Sequence, residues 1–217
     1  MEYVLVALWK APGADVAVLR ETWAPIALAD PNVHACTMSF ADVDQGPYAN
    51  GDPVDLLITL GLDRAHDLDD VPDRGVLYAS AREVNVWRVD PRHPKTWDRT
   101  WPDGEFAPGV KMVSFMRRAE GLTHEQFVRH WTENHSLLAC RHHVGLWNYT
   151  QNVVRRAYTP GGAAIDGVAE LHFRSRESFD NEFFDSDEGR AVIMQDVKRF
   201  MAKPGGQAAL MRELPLR

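Results

Sequence analysis

The order of strands and helices in the second half of this chain repeats that of the first, and few architectures accept such a sequence. Read by hydrophobic period, the first half runs strand Tyr3–Trp9, helix Asp15–Ala29 interrupted by Pro25, and strands Val33–Phe40 and Asp55–Leu62. A short helix near Ala65–Asp70 and a strand at Glu83–Val89 complete it. The second half runs strand Lys111–Arg118, helix Thr123–His143, and strands Leu146–Val154 and Gly167–Phe173. Helical pieces near Arg176–Phe184 and Asp187–Met201 and a closing strand Gln207–Leu214 follow. Each half is thus β-α-β-β-α-β, the ferredoxin-like order. The halves superpose without gaps over their first thirty residues at an offset of 108, with Gly13 on Gly121, Trp23 on Trp131, Ala11 on Ala119 and Leu19 on Phe127. Between them, Asp90–Pro108 carries four prolines and no periodicity. The predicted organisation is a diverged repeat over 1–92, a linker over 93–108 and a second repeat over 109–217. Each sheet has helices on one face and needs a cover for the other, which a facing sheet supplies. The expected fold is α+β, two ferredoxin-like repeats packed as an intramolecular dimeric α/β barrel. Its cavities would lie between sheet and helices or inside the barrel.

Charge narrows the partner. The net charge is -7 with a pI near 5.7, and no basic block stands out, which argues against nucleic acid or an anionic membrane. A small neutral or cationic molecule, or another protein, is more natural. No apolar run reaches the roughly 18 residues of a membrane span, and MEYVLVALWK reads as a strand rather than a signal peptide. Cys36 and Cys140 are the only thiols, too few for a disulfide framework, so a reduced, cytoplasmic protein is expected.

The segment Lys111–His135 holds the best lead to function. Thr123 is a good N-cap, Gln126 completes a capping box and Glu125 suits the positive end of the dipole. Gly145 supplies the stop, and His142 and His143 lie in the last turn, where cationic rings are favoured. Phe127, Trp131 and Leu138 form the apolar face. In an α-helix His135 lies about 40° round from Trp131, bordering that face, while His130 lies roughly 140° from His135. His135 is either a core-edge imidazole bonded to a carbonyl or a general acid/base tuned by partial burial.

The strand Gly167–Phe173 alternates, with Ala169, Leu171 and Phe173 on one row and Val168, Glu170 and His172 on the other. The apolar row should pack under the helices and the mixed row face the barrel interior. There Glu170 and His172 are candidates for an acid–base pair, or for a structural pair bonded to the other half. Strand Leu146–Val154 offers Trp147, Tyr149 and Gln151 on one face and Asn148, Thr150 and Asn152 on the other, an aromatic-plus-amide lining suited to a flat oxygenated ring.

Other signals carry less. His130 and His135 are spaced H-x4-H, which is not the i, i+4 pairing that places two metal ligands on one helix face. Gly161-Gly162 opens no helix and is no phosphate loop. No metal or other cofactor is expected; a haem on His135 would be betrayed by a Soret band.

The second half resembles the EthD domain family. The residues that carry the resemblance are Lys111, Arg117-Arg118, Gly121-Leu122-Thr123, Phe127, Trp131, His135, Tyr149–Asn152 and Asp166–Leu171, with Asp196 and Phe200 later in the chain. The resemblance implies a dimeric α/β barrel and a small cofactor-free protein of aromatic or polyketide metabolism. It also implies decarboxylation, cyclisation or dehydration of oxygenated aromatics, with the histidine matching His135 as catalyst. The chain departs from the family pattern at Ser136, where members often carry Ala-Pro, and at His172, where an aromatic residue is usual.

The first expectation is a cofactor-independent lyase-type enzyme acting on a small hydrophobic oxygenated molecule. His135 would be its acid/base, with Glu170 or His172 orienting it, and Trp131, Tyr149 and Asn152 would contact substrate. The second is a non-catalytic binder or stress-related barrel with a closed cavity and His135 bonded to backbone. On the repeat alignment Ala27 stands opposite His135 and Thr59 opposite Glu170, so one working site per chain is expected. The fused halves would make a pseudo-twofold monomer, or a homodimer.

Overall fold

A computed structural model describes residues 1–46, 51–202 and 207–217. Eight strands, β1 (Glu2–Lys10), β2 (Val33–Ala41), β3 (Leu56–Leu62), β4 (Ala81–Lys95), β5 (Val110–Met116), β6 (Leu146–Ala157), β7 (Gly167–Phe173) and β8 (Ala208–Pro215), close into one antiparallel barrel. Their order round it is β1-β3-β2-β8-β5-β7-β6-β4. Each half of the chain supplies four adjacent strands, and the seams are β2 against β8 and β4 against β6.

Closure buries both faces of the sheet, which explains the near-continuous apolar run of β1. Val4, Val6 and Leu8 pack outward under the N-terminal helices, whereas Leu5, Ala7 and Trp9 join an interior core with Trp87, Val113, Phe115, Val168 and Met211 from both halves. A third core, built on Phe127, Trp131, Phe173, Phe179 and Phe200, fills the space between the C-terminal strands and their helices.

The helices are α1 (Leu19–Thr22) and α2 (Ala24–Ala29), α3 (Arg74–Ala79), α4 (His124–Arg129) and α5 (Ser136–His142), and α6 (Arg176–Asn181) and α7 (Asp187–Phe200). The expected single helix over Asp15–Ala29 is a 3-10 turn at Val16–Val18 followed by α1 and α2, with Pro25 in the first turn of α2, where its missing N–H costs nothing. The short helix expected near Ala65–Asp70 is only a 3-10 turn at Leu68–Asp70, and α3 follows it.

Strand β4 runs on to Lys95, pairing Asp90 with Val153, Pro91 with Asn152 and Lys95 with Tyr149 across the seam. Proline lacks the N–H that a ladder needs, so sequence periodicity ends before the strand does. Beyond it, Trp97 and Trp101 meet edge to face 4.9 Å apart, and Trp97 packs against Trp147 and His172. Gly104 and Ala107 donate to the Pro215 and Glu213 carbonyls, so this segment is a strap bound to β8 rather than a free connector.

Candidate functional site

The C-terminal helix opens as its residues predict. Thr123 Oγ1 accepts from the Gln126 amide at 3.2 Å and Gln126 Oε1 accepts from the Thr123 amide at 2.8 Å. It does not stay α-helical. His130–His135 forms a π-helical turn before α5 resumes. A π turn closes i to i+5, so residues five apart come to lie one above the other. His130 and His135 are such a pair. The 140° separation expected from α geometry does not hold, and both rings grip one carboxylate of α7. Asp196 Oδ1 bonds His130 Nε2 at 2.9 Å and Asp196 Oδ2 bonds His135 Nδ1 at 3.0 Å. Phe200, one turn on, packs against both imidazoles, 5.1 and 4.9 Å between centroids.

This geometry sets protonation. Burial alone would raise the Asp196 carboxyl, but the hydrogen bonds and charge of His135 and His130 outweigh it and hold the pKa below its ordinary value. An ionised carboxylate only accepts, so His135 Nδ1 carries a proton and donates it to Asp196, which leaves Nε2 as the acceptor nitrogen of the neutral ring.

The His135 ring lines a cavity of about 500 Å³ between the sheet and the C-terminal helices. Its walls are mostly apolar, including Met112, Leu171, Phe184 and Ile193, with His143, Tyr149 and Ser114 as polar tips. Tyr149 is 1% exposed. Its hydroxyl accepts from Trp131 Nε1 and from Gln151 Nε2, each at 3.0 Å. Both lone pairs are thereby used, and what remains is the O–H donor. Burial raises the phenol pKa, against the lowering effect of those two bonds, so the proton is retained. His143 donates Nδ1–H to the Phe183 carbonyl at 2.5 Å, and burial lowers its pKa to about 4. The last-turn preference for cationic rings is overturned there by desolvation, whereas His142 pairs with Asp185 at 2.9 Å. His143 therefore presents a second bare nitrogen. Tyr149→Phe should weaken binding of 2-naphthol about tenfold. It should also cost roughly 1–3 kcal/mol of stability through the two orphaned donors, read by titration calorimetry and urea melts.

Gly167 has a packing role here. A Cβ would lie 2.5 Å from Trp131 Cζ3, so only glycine lets β7 start beneath that ring. Gly145 likewise has no left-handed conformation; its Cβ would meet Ser178 Oγ at 2.6 Å, so close approach of α6 explains it.

The expected site is divided. Trp131, Tyr149 and His135 meet at the cavity, but Glu170, His172 and Asn152 lie on the other face of the sheet, inside the barrel. Alternation along β7 forces this, since Ala169 and Leu171 take the helix side. Glu170 Oε2 accepts from Lys111 Nζ at 2.5 Å and Glu170 Oε1 from Asn152 Nδ2 at 2.6 Å, while Glu213 takes a second Lys111 bond at 2.8 Å. His172 Nε2 bonds the Pro108 carbonyl at 2.8 Å, and burial lowers its pKa to about 4. Neither Glu170 nor His172 orients His135; Asp196 does. Asp196 belongs to the family pattern in the sequence, and its role toward His135 shows only in the fold. An acid on the helix facing a helical histidine was the available signal. Thr59 lines the same barrel cleft as Glu170, and Ala27 is fully buried under the N-terminal sheet. Among the described residues, no group of three or more His, Cys, Asp or Glu side chains is placed to hold a metal ion, and no helix is long and apolar enough to cross a membrane.

A family model described as EthD domain matches residues 119–204, which carry the π turn, Tyr149, β7 and Asp196. No curated protein sequence matches the chain. Among solved structures, an anthrone oxidase-like protein superposes with a TM-score of 0.62 at 10% identity, covering 100% of this chain and 91% of that one. A protein described as a candidate monooxygenase from Lactobacillus acidophilus NCFM gives 0.52 at 9% identity, covering 100% and 94%. A dye-decolorizing peroxidase from Bacteroides thetaiotaomicron VPI-5482 gives 0.54 at 11% identity, covering 98% and 92%. Identity this low speaks to the fold alone.

Proposed function

We propose that a chain whose residues 119–204 are EthD-like uses the cavity beside His135 for cofactor-independent proton transfer on a small, hydrophobic, oxygenated aromatic or polyketide-like substrate. The observation that carries the reading is the Asp196–His135 pair, bonded through Nδ1, on a ring that lines an apolar cavity. His135 takes a proton from an enolisable carbon or phenol. Asp196 stabilises the imidazolium, and Tyr149 donates its O–H to the oxygen on which charge develops. The imidazolium then returns its proton: to a hydroxyl that leaves as water, to the ring carbon that loses its carboxylate as carbon dioxide, or to the oxygen left by ring closure, each of which makes the activity lyase-like. Glu170, His172 and Asn152 drop out of the catalytic set and serve the barrel interior. A closed cavity with His135 bonded to backbone would have favoured a non-catalytic binder; an open cavity and a carboxylate partner support the enzyme.

The two halves are read as diverged ferredoxin-like repeats, with Ala27 where the working half has His135, so one probe molecule should bind per chain. The barrel closes within one chain, which supports a monomer, and unpaired Cys36 and Cys140 suit a reducing cytoplasm.

Anthrone, whose carbonyl acidifies the ring methylene, is a suitable probe. Under nitrogen in deuterated buffer, the protein should accelerate methylene exchange, and His135→Gln should abolish the acceleration. Unchanged exchange in that variant sinks the assignment of His135. Oxygen uptake that depends on His135 in air would keep the base but replace the lyase reading by oxidation.

A further inference from the structure

Helix α7 and its C-cap turn Arg190, Ile193, Met194, Val197 and Met201 toward the cavity. The spacing i, i+3, i+4, i+7, i+11 is one helical face. Four of these positions are apolar and one is a guanidinium. Arg190 is the only lysine or arginine among the described residues that line the cavity. Other arginines nearby are engaged: Arg199 lies 3.9 Å from Asp196, and Arg176 pairs with Asp180 and Asp44 at 3.0 and 3.1 Å. No carboxylate among the described residues is paired with Arg190. Helix electrostatics does not explain the residue either, because a cation in the first turn opposes the dipole. Arg190 is exposed at the cavity rim, so its guanidinium is solvated and free to meet the anionic end of a ligand entering there.

We propose that the substrate is an acid, its oxygenated ring held between Tyr149 and His135 and its carboxylate held by Arg190. The planar fork of arginine matches a carboxylate bidentately. Arg190 precedes Asp196 by six residues, about 9 Å along the helix axis, which suits a fused-ring or similarly long ligand. The net charge of -7 does not oppose this, since charges beyond about 10 Å are screened while a contact pair is not. The proposal rests on the cavity being the substrate site, and it narrows the chemistry. A carboxylate paired with arginine is stabilised as an anion, so it is a handle rather than a leaving group. Dehydration or ring closure is favoured over decarboxylation.

The test is calorimetric titration with 6-hydroxy-2-naphthoate and its neutral primary amide. The native protein should bind the acid about tenfold more tightly than the amide, with the preference shrinking as salt rises. Arg190→Gln should erase the preference and leave amide affinity within about twofold, while Arg190→Lys retains part of it. If Arg190→Gln binds the acid as the native protein does, and Tyr149→Phe still weakens both probes, the anion subsite falls and the cavity reading stands. If neither probe binds the native protein, the cavity reading falls and takes this inference with it.

Discussion

Asp196→Asn should lower the rate of anthrone exchange by about 10²–10³-fold while leaving KM nearly unchanged. The native carboxylate accepts one N–H from each of two rings, His130 Nε2 and His135 Nδ1. An asparagine has one acceptor and one donor end. Whichever way it sits, its NH₂ faces a ring N–H, and one imidazole must change tautomer or lose its bond. If that ring is His135, the bare nitrogen moves away from the cavity; if it is His130, the π turn loses half its anchor. Either way the imidazolium formed in the reaction loses its counter-charge. Single-turnover exchange measured from about pH 6 to 9 separates this from simple unfolding, because a tautomer defect persists across the profile. A variant exchanging at the native rate would remove Asp196 from the mechanism.

The second large effect belongs to the barrel interior. Lys111 is 1% exposed and bridges Glu170 and Glu213. Burial works against its charge, but the two carboxylates outweigh it and its pKa is raised; burial likewise works against the Glu213 carboxylate, but Lys111 outweighs it and the Glu213 pKa is lowered. In the native protein, the Glu213 contribution is fully present above the ordinary carboxylate pKa and is lost as pH falls through its lowered value. The Lys111 contribution is lost only as pH rises past the ordinary lysine range. Lys111→Met strands two carboxylates in the interior and should cost about 3–5 kcal/mol at neutral pH. Without the lysine, the buried acids hold protons more readily folded than unfolded, so the deficit should shrink as pH falls from about 8 to 5. Urea midpoints of both proteins at the two ends of that range measure it. An equal deficit at both would show that lost packing, not stranded charge, is responsible.

These two sites show what the residues reveal without coordinates and what they do not. Alternation in β7 assigns Ala169 and Leu171 to the helix side and Glu170 to the barrel, because a strand has only two faces. The same alternation forbids Glu170 and His172 from meeting a histidine that packs on the helix side. The capping box at Thr123 and Gln126 is local chemistry and reads directly from four residues. The π turn at His130–His135 does not. It adds no glycine or proline to the sequence, and it converts a spacing that α geometry places on opposite sides into a paired grip on Asp196. Ser136 Oγ donates back to the Thr132 carbonyl at 2.7 Å, a bond that accompanies the irregular turn. The extension of β4 to Lys95 was hidden because its register is set by β6, far away in sequence. Arg190 is visible as the one charge on an apolar stripe, but only the cavity gives that stripe a destination.

The central claim is that Asp196 holds His135 with its proton on Nδ1 and bare Nε2 toward the cavity. Long-range nitrogen–proton correlation spectra of the histidine rings at about pH 8.5, where ordinary imidazoles are neutral, test it directly, with His135→Gln supplying the assignment. The account predicts a protonated Nδ1 and an unprotonated Nε2 for His135, with the Nε2 resonance shifting when 2-naphthol is added. A ring protonated at Nε2, or one whose resonances ignore saturating probe, would contradict it.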